Sequence, residues 1–528
     1  MITLHARASG NTAVPAGLLL RGGAVVVALL ALLPLFYVIG YTLGAGWDEV
    51  SQLVFRARTG ELLWNTGRLT LLTILSCAAL GLGAAWLVER TNLPGRRVWN
   101  ILLVAPLAVP AFVNSYAWVS LAPSMQHLGG AWLIVTLSYF PLVYLPVAAM
   151  LRGLDPALEE TAYALGLGQW ATFHRVVLPQ LRPALFGGCL LVGLHLLAEF
   201  GALQMLQFPT FTTAIYDQYR SSFNGPAANA LAAVLVLACL VLLLAELKLR
   251  GRASYARVGG GAARPLPRLE LRGATLGALA FMAVLIGLAL VVPLGSLIRW
   301  LLTGASTAFP VATLTSTLLT SLGLGVAAAL LTTLLAVPVA WLSVRYHGRM
   351  ATTLERSTYF ASALPGIVVA LALVTITIRF APAFYQTAPV LVLAYAILFV
   401  PLAMVNVRAA FEQAPPLYDE VANGLGVGPV SRFVRVTLPL IGRGLGAGMA
   451  LVFLSVVTEL TATLLLAPIG TDTLATKFWS YSSSLSYGAA APYAALMVVI
   501  SLPATYLLTR AADEGLPVSE RSDVGVSQ

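Results

Sequence analysis

The sequence predicts an all-α integral membrane protein of about twelve transmembrane helices in two homologous six-helix halves, and three observations carry the prediction. The first is composition: 59% of the 528 residues are apolar, 10% are charged and mean hydropathy is +0.87, a balance foreign to a water-soluble globule. The second is length. A bilayer core about 30 Å thick takes roughly 20 apolar residues per helix, and apolar stretches of that size begin near positions 23, 66, 100, 130, 184 and 227, then near 274, 315, 358, 388, 444 and 489. The third is an internal repeat at a spacing of 260 residues. Glu160, Ala162, Gly166, Val176, Leu178 and Pro179 recur as Glu420, Ala422, Gly426, Val436, Leu438 and Pro439, and the same register pairs Pro141 with Pro401, Glu199 with Glu459 and Thr213 with Thr473.

Taken in order, the chain divides into a cytoplasmic N-terminal segment at 1–22, a first six-helix domain at 23–247, a basic linker at 248–273, a second six-helix domain at 274–510 and a cytoplasmic tail at 511–528. The first apolar stretch, Gly23 to Leu43, is too long for the apolar core of a cleaved signal peptide, and removing it would break the equivalence of the halves. The linker carries Lys248, Arg250, Arg252, Arg257, Arg264, Arg268 and Arg272 among Gly and Pro, the composition of a flexible connector. Positive loops stay on the cytoplasmic side, so both termini are expected inside, where most of the 31 Lys and Arg then lie. The net charge of +10 is thereby topological and argues against nucleic acid as a partner. Cys77, Cys189 and Cys239 all fall in apolar stretches, which suggests neither a disulfide framework nor a thiolate metal site. The acidic tail, with Asp513, Glu514, Glu520 and Asp523, reads as a solvated end.

Each repeated polar segment reads as a short helix closed by a glycine, Gly166 or Gly426, in a left-handed cap. A second short helix carrying Phe173 or Phe433 follows, and Pro179 or Pro439 is expected to stop it before the next span. Loop helices resting on lipid headgroups are the plainer alternative; recurrence at matched spacing favours docking of a soluble partner.

These residues resemble a known family. EETAYALGLGQWATFHRVVLP at 159–179 and DEVANGLGVGPVSRFVRVTLP at 419–439 are similar to the signature loop of permease subunits of ATP-binding-cassette importers, Thr161 and Val421 being mild departures from its second small residue. The resemblance implies a type I importer permease fold with both membrane domains in one chain, as in ferric-iron and thiamine permeases. It also implies a place in a bacterial inner membrane and that Glu160, Ala162, Gly166, Leu178 and Pro179, with Glu420, Ala422, Gly426, Leu438 and Pro439, couple the chain to an ATPase. The implied partners are two copies of a separate ATPase and an extracytoplasmic substrate-binding protein. The chain has no phosphate-binding loop and no Gly-Lys dipeptide, so ATP and Mg belong to the partner; no cofactor is expected here, and the chain is not expected to be an enzyme.

Polar groups within spans are costly unless they face protein or water, which singles out Glu199 and Glu459, each 20 residues past its Leu-Pro and four residues after a second polar side chain, His195 or Ser455. Two functions fit: lining a path for a cation, or accepting hydrogen bonds that hold the bundle together. No dedicated metal cage is legible. Downstream, residues 211–216 and 471–476 form a weak outer repeat suited to meeting the binding protein. Pro106, Pro110 and Pro365 suggest kinks, with ordinary proline enrichment in membrane helices as the alternative. The stretch from Glu199 to Tyr219 resembles ferric-iron permeases more than thiamine permeases. The expected substrate is ferric iron, with thiamine, a polyamine or a phosphonate as alternatives, and a gradient-driven secondary transporter as the competing class.

Overall fold

The computed structural model describes residues 18–44, 46–250, 268–346 and 348–513. Most of the linker, including Arg252, Arg257 and Arg264, lies outside the described residues, as do Glu514, Glu520 and Asp523. Among the described residues nine helices are long and apolar enough to cross a membrane, two bent pairs bring this to eleven, and a shorter apolar helix, Tyr487–Pro503, occupies the twelfth expected position. No strand occurs among them, only an isolated bridge between Thr91 and Leu269.

The chain folds into two compact units. Among the described residues, one draws on those within 1–34, 326–362 and 392–453, and the other on those within 35–325, 363–391 and 454–528. The larger unit mixes the two halves of the sequence. Helix Ala111–Leu121 of the first half packs on Val292–Thr303 of the second. Trp300 Nε1 donates to Ser120 Oγ at 2.9 Å, and Ser120 lies 3.1 Å from Ser296 Oγ. Tyr116 is fully buried and donates to the Tyr487 carbonyl at 2.6 Å. These interior hydroxyls are paired, as burial of polar groups requires.

The expected proline kinks are present. Arg96–Ala108 and Ala111–Leu121 meet at 89°. Pro106 lies in the 3-10 turn Ala105–Ala108, and Pro110 caps the following helix at φ −54° and ψ 141°. Proline has no N–H, and its ring collides with the carbonyl four residues back. Pro365 stands in the same way before Gly366–Phe380, at φ −60° and ψ 144°. Pro110 and Pro365 are 255 residues apart rather than 260, so the repeat is not in one register throughout.

Hydrogen bonds fix the drift. Thr66 Oγ1 accepts the Phe211 amide at 3.3 Å, and Ser321 Oγ accepts the Leu474 amide at 2.8 Å. Phe211 and Leu474 each open a ten-residue helix, Phe211–Arg220 or Leu474–Ser483, and each is preceded by a threonine capping box, Thr210 with Thr213 and Thr473 with Thr476. The pairing of Thr213 with Thr473 is therefore corrected: Thr473 is the counterpart of Thr210. The second half carries five extra residues before its polar segment and three more before Leu474–Ser483.

Candidate functional site

The first polar segment is built from its caps. Asp155 accepts the Ala157 amide at 3.0 Å and Pro156 occupies the first turn of Pro156–Ala164, where a missing N–H does no harm. At the other end Gly166 N–H bonds to the Tyr163 carbonyl at 2.9 Å and Leu167 N–H to the Ala162 carbonyl at 3.0 Å, with Gly166 at φ +83°. The second segment closes identically on Pro416–Gly424: Gly426 N–H to Asn423 at 3.0 Å, Val427 N–H to Ala422 at 3.0 Å, φ +76°. This is the double hydrogen bond of a left-handed helix terminus. Ala162 and Ala422 are buried beneath the turn. Glu160 and Glu420 are exposed on their helices. Leu165 and Leu425, at matched positions beside the glycines, are each 78% exposed. One exposed leucine thus stands beside the left-handed terminus in both copies.

Beyond the glycines the expected stop at Leu-Pro does not occur. The chain runs as one helical rod over Gln169–Ala198, passing Leu178 and Pro179 through a wide turn, Phe173–Val177, in which Leu178 N–H reaches the Phe173 carbonyl five residues back. Leu438 and Pro439 follow Phe433–Thr437 in the same way. Widening the turn ahead of the proline relieves its clash with the preceding carbonyls, so the polar segment and the span are mechanically continuous.

The acidic residue that anchors each segment is not the signature glutamate but the residue before it, Glu159 in the first and Asp419 in the second. Glu159 is buried and ion-paired with Arg90, the last residue of helix Ala57–Arg90; Arg90 also lies over Trp86, 5.3 Å from the ring centroid. Trp86 packs edge-on against Phe173 at 4.8 Å, and Arg152 meets Glu89 at 3.3 Å. Burial and the Glu159 carboxylate push the Tyr163 phenol up from its ordinary range, against the pull of Arg90. In the other unit Arg345, at the end of Val311–Arg345, meets Asp419 at 3.4 Å, and Thr437 donates to Asp419 at 2.7 Å.

Glu199 and Glu459 occupy helix breaks. Leu178–Ala198 ends, Glu199 is extended at φ −73° and ψ 117°, and its Oε1 accepts the Ala202 amide at 2.8 Å to start Gly201–Met205. Glu459 likewise accepts the Ala462 amide at 3.0 Å ahead of Thr461–Leu466. Their backbone carbonyls accept Thr212 and Thr463 hydroxyls, both at 2.7 Å. The two breaks adjoin: a Cβ on Gly201 would lie 2.9 Å from Leu460 Cδ2. Tyr139 donates its hydroxyl to Glu199 Oε2 and places its ring 5.8 Å from His195. Ser455 is half-buried one turn before Glu459. Among the described residues no three His, Cys, Asp or Glu side chains group to hold a metal ion.

A family model described as "Binding-protein-dependent transport system inner membrane component" matches the chain twice, over residues 78–249 and 333–512, each match taking in one polar segment and one helix break. The Fe(3+)-transport system permease protein FbpB 2 of Haemophilus influenzae is 37% identical over 491 residues, 92% of this chain and 97% of that protein. The sulfate transport system permease proteins CysT and CysW of Escherichia coli are 30% and 27% identical over 258 and 242 residues, 44% and 41% of this chain and 91% and 83% of those proteins. All are named as permeases of transport systems, which places the chain among transport subunits rather than enzymes. Carrying the family's domain twice over, the chain belongs to the binding-protein-dependent transport system inner membrane components.

Proposed function

We propose that this chain is the complete membrane pathway of an ATP-binding-cassette importer for ferric iron. Its two polar segments, Glu160 to Pro179 and Glu420 to Pro439, each seat one copy of a separate ATPase on the cytoplasmic side, with both termini on that side. The ATPase holds ATP and Mg, and an extracytoplasmic binding protein delivers the ion to the opposite face. The observation that carries the coupling role is the duplicated terminus in which Leu165 and Leu425 stand 78% exposed beside left-handed glycines. Continuity of Gln169–Ala198 through its wide turn supports direct transmission from the docked segment to the helix that ends at Glu199.

Iron as substrate is supported by similarity along 92% of the chain to a protein named for Fe(3+) transport, where the proteins named for sulfate match less than half of it. Donor chemistry favours the same side. Glu199 and Glu459 place carboxyl oxygens at adjoining helix breaks, donors that suit a hard ferric cation and not a sulfate dianion. The test is ATP hydrolysis by the chain reconstituted in lipid with its ATPase and with the binding protein empty, ferric-loaded, sulfate-loaded or thiamine-loaded. Stimulation by the ferric-loaded form alone is expected; stimulation by another loaded form alone would discard iron while keeping the coupling role.

A further inference from the structure

Three side chains with metal-binding chemistry converge where the first half's fifth helix breaks. Tyr139 closes helix Leu128–Tyr139, while His195 and Glu199 lie one turn apart at the end of Leu178–Ala198. The Tyr139 hydroxyl is bonded to Glu199 Oε2, and its ring centroid is 5.8 Å from that of His195. We propose that Tyr139, His195 and Glu199 form a transit site for the ferric ion, an inference that rests on the substrate reading above.

Glu199 and His195 are each held through one donor atom by the backbone, while the Tyr139 hydroxyl and Glu199 Oε2 are engaged with each other. Glu199 Oε1 takes the Ala202 amide at 2.8 Å, which orients the carboxylate and turns Oε2 toward Tyr139. His195 Nδ1 lies 2.9 Å from the Leu191 carbonyl; a carbonyl only accepts, so Nδ1 carries the proton and Nε2 the lone pair. Tyr139 is buried and Glu199 half-buried, whereas His195 is exposed, giving the cluster one open side. An imidazole and a carboxylate at membrane depth belong on a face that meets protein or water, and two residues past Glu199 the chain packs on the Glu459 break, where a Cβ on Gly201 would lie 2.9 Å from Leu460 Cδ2.

Phenolate and carboxylate oxygens with one imidazole suit iron. On binding, the phenol loses its proton to water, and two oxygens already in hydrogen-bond contact close on one ion. Three protein donors leave coordination positions open, as a site that must also release its ion requires. The second half does not duplicate the cluster: 260 residues on from Tyr139 and His195 stand Phe399 and Ser455. The cluster is not legible in the sequence, because Tyr139 is 60 residues from Glu199 and looks like an interior aromatic.

The test uses the full chain with its ATPase in lipid nanodiscs, titrated with ferric nitrilotriacetate and read by visible absorption, because a phenolate bound to ferric iron produces a charge-transfer band that carboxylate-bound surface iron does not. The expected result is a saturable band in the wild type, lost in Tyr139→Phe and kept in Tyr116→Phe, whose hydroxyl is committed to the Tyr487 carbonyl. Glu199→Gln is expected to weaken the titration at least about tenfold, the low end of what losing even a hydrogen-bonded partner of a metal ligand costs. A band that survives Tyr139→Phe overturns the site, as does absence of a band in a complex whose ATP hydrolysis the ferric-loaded binding protein stimulates; the substrate reading then stands. Stimulation only by sulfate-loaded or thiamine-loaded binding protein overturns the substrate reading and the site with it.

Discussion

Removing either member of the Arg90–Glu159 pair should loosen the first polar segment from helix Ala57–Arg90. The side chains are 4% and 7% exposed, so truncating one leaves the other charged, desolvated and unpaired, at about 3–5 kcal/mol. Arg90→Ala also loses the contact with Trp86, worth about 1 kcal/mol, and should be the worse of the two. The Arg345–Asp419 pair is longer, at 3.4 Å, and more open, at 12% and 23%; its loss should be nearer to the value for a surface pair, about 1 kcal/mol. The assay is a double-mutant cycle on thermal inactivation of the permease in lipid, comparing Arg90→Met, Glu159→Leu and both together. Replacing both charges with apolar groups should recover most of what either single change loses, since no buried charge remains. Additive losses, or singles as stable as the wild type, would show that the two charges are not a coupled buried pair.

Gly166→Ala and Gly426→Ala should each loosen a helix terminus by about 1–2 kcal/mol, because both glycines have positive φ while an added methyl group meets nothing within 4 Å; hydrogen exchange of the Leu167 and Val427 amides should quicken by about tenfold, and Asn at either site should restore much of the protection. Thr473→Ala should destabilise as much as Thr210→Ala, about 1 kcal/mol by melting, since both are helix caps; a silent Thr473→Ala would contradict the register assigned to the two capped helices. Glu199→Gln combined with Glu459→Gln should slow uptake while leaving ATPase assembly intact, and wild-type uptake by that double variant would reduce both residues to helix caps.

Much of this architecture was legible because membrane spans and duplications write themselves along the chain. The stretches counted from hydropathy all correspond to helices, Gly166 and Gly426 take the left-handed conformation that their spacing implied, and Pro110 marks the 89° bend. What escaped depends on contacts between distant segments. Arg90 and Arg345 are 255 residues apart while Glu159 and Asp419 are 260 apart, so no single register pairs both sets. The break at Glu199 was hidden in a continuous apolar run, because a carboxylate capping the next helix ends it, not a proline or glycine. Pro179 reads as a stop, yet a five-residue turn ahead of it lets the helix continue, an adjustment with no signature in composition.

The most direct test of the coupling role counts ATPase subunits per permease chain by native mass spectrometry of the complex. Burying one exposed leucine contributes about 2 kcal/mol, so Leu165→Asp or Leu425→Asp should weaken its own docking site by at least about thirtyfold without unfolding a residue that is already 78% exposed. Two subunits are predicted on the wild type, one on either variant and none on the double variant. A single subunit on the wild type, or two on the double variant, would contradict the assignment of one ATPase to each polar segment.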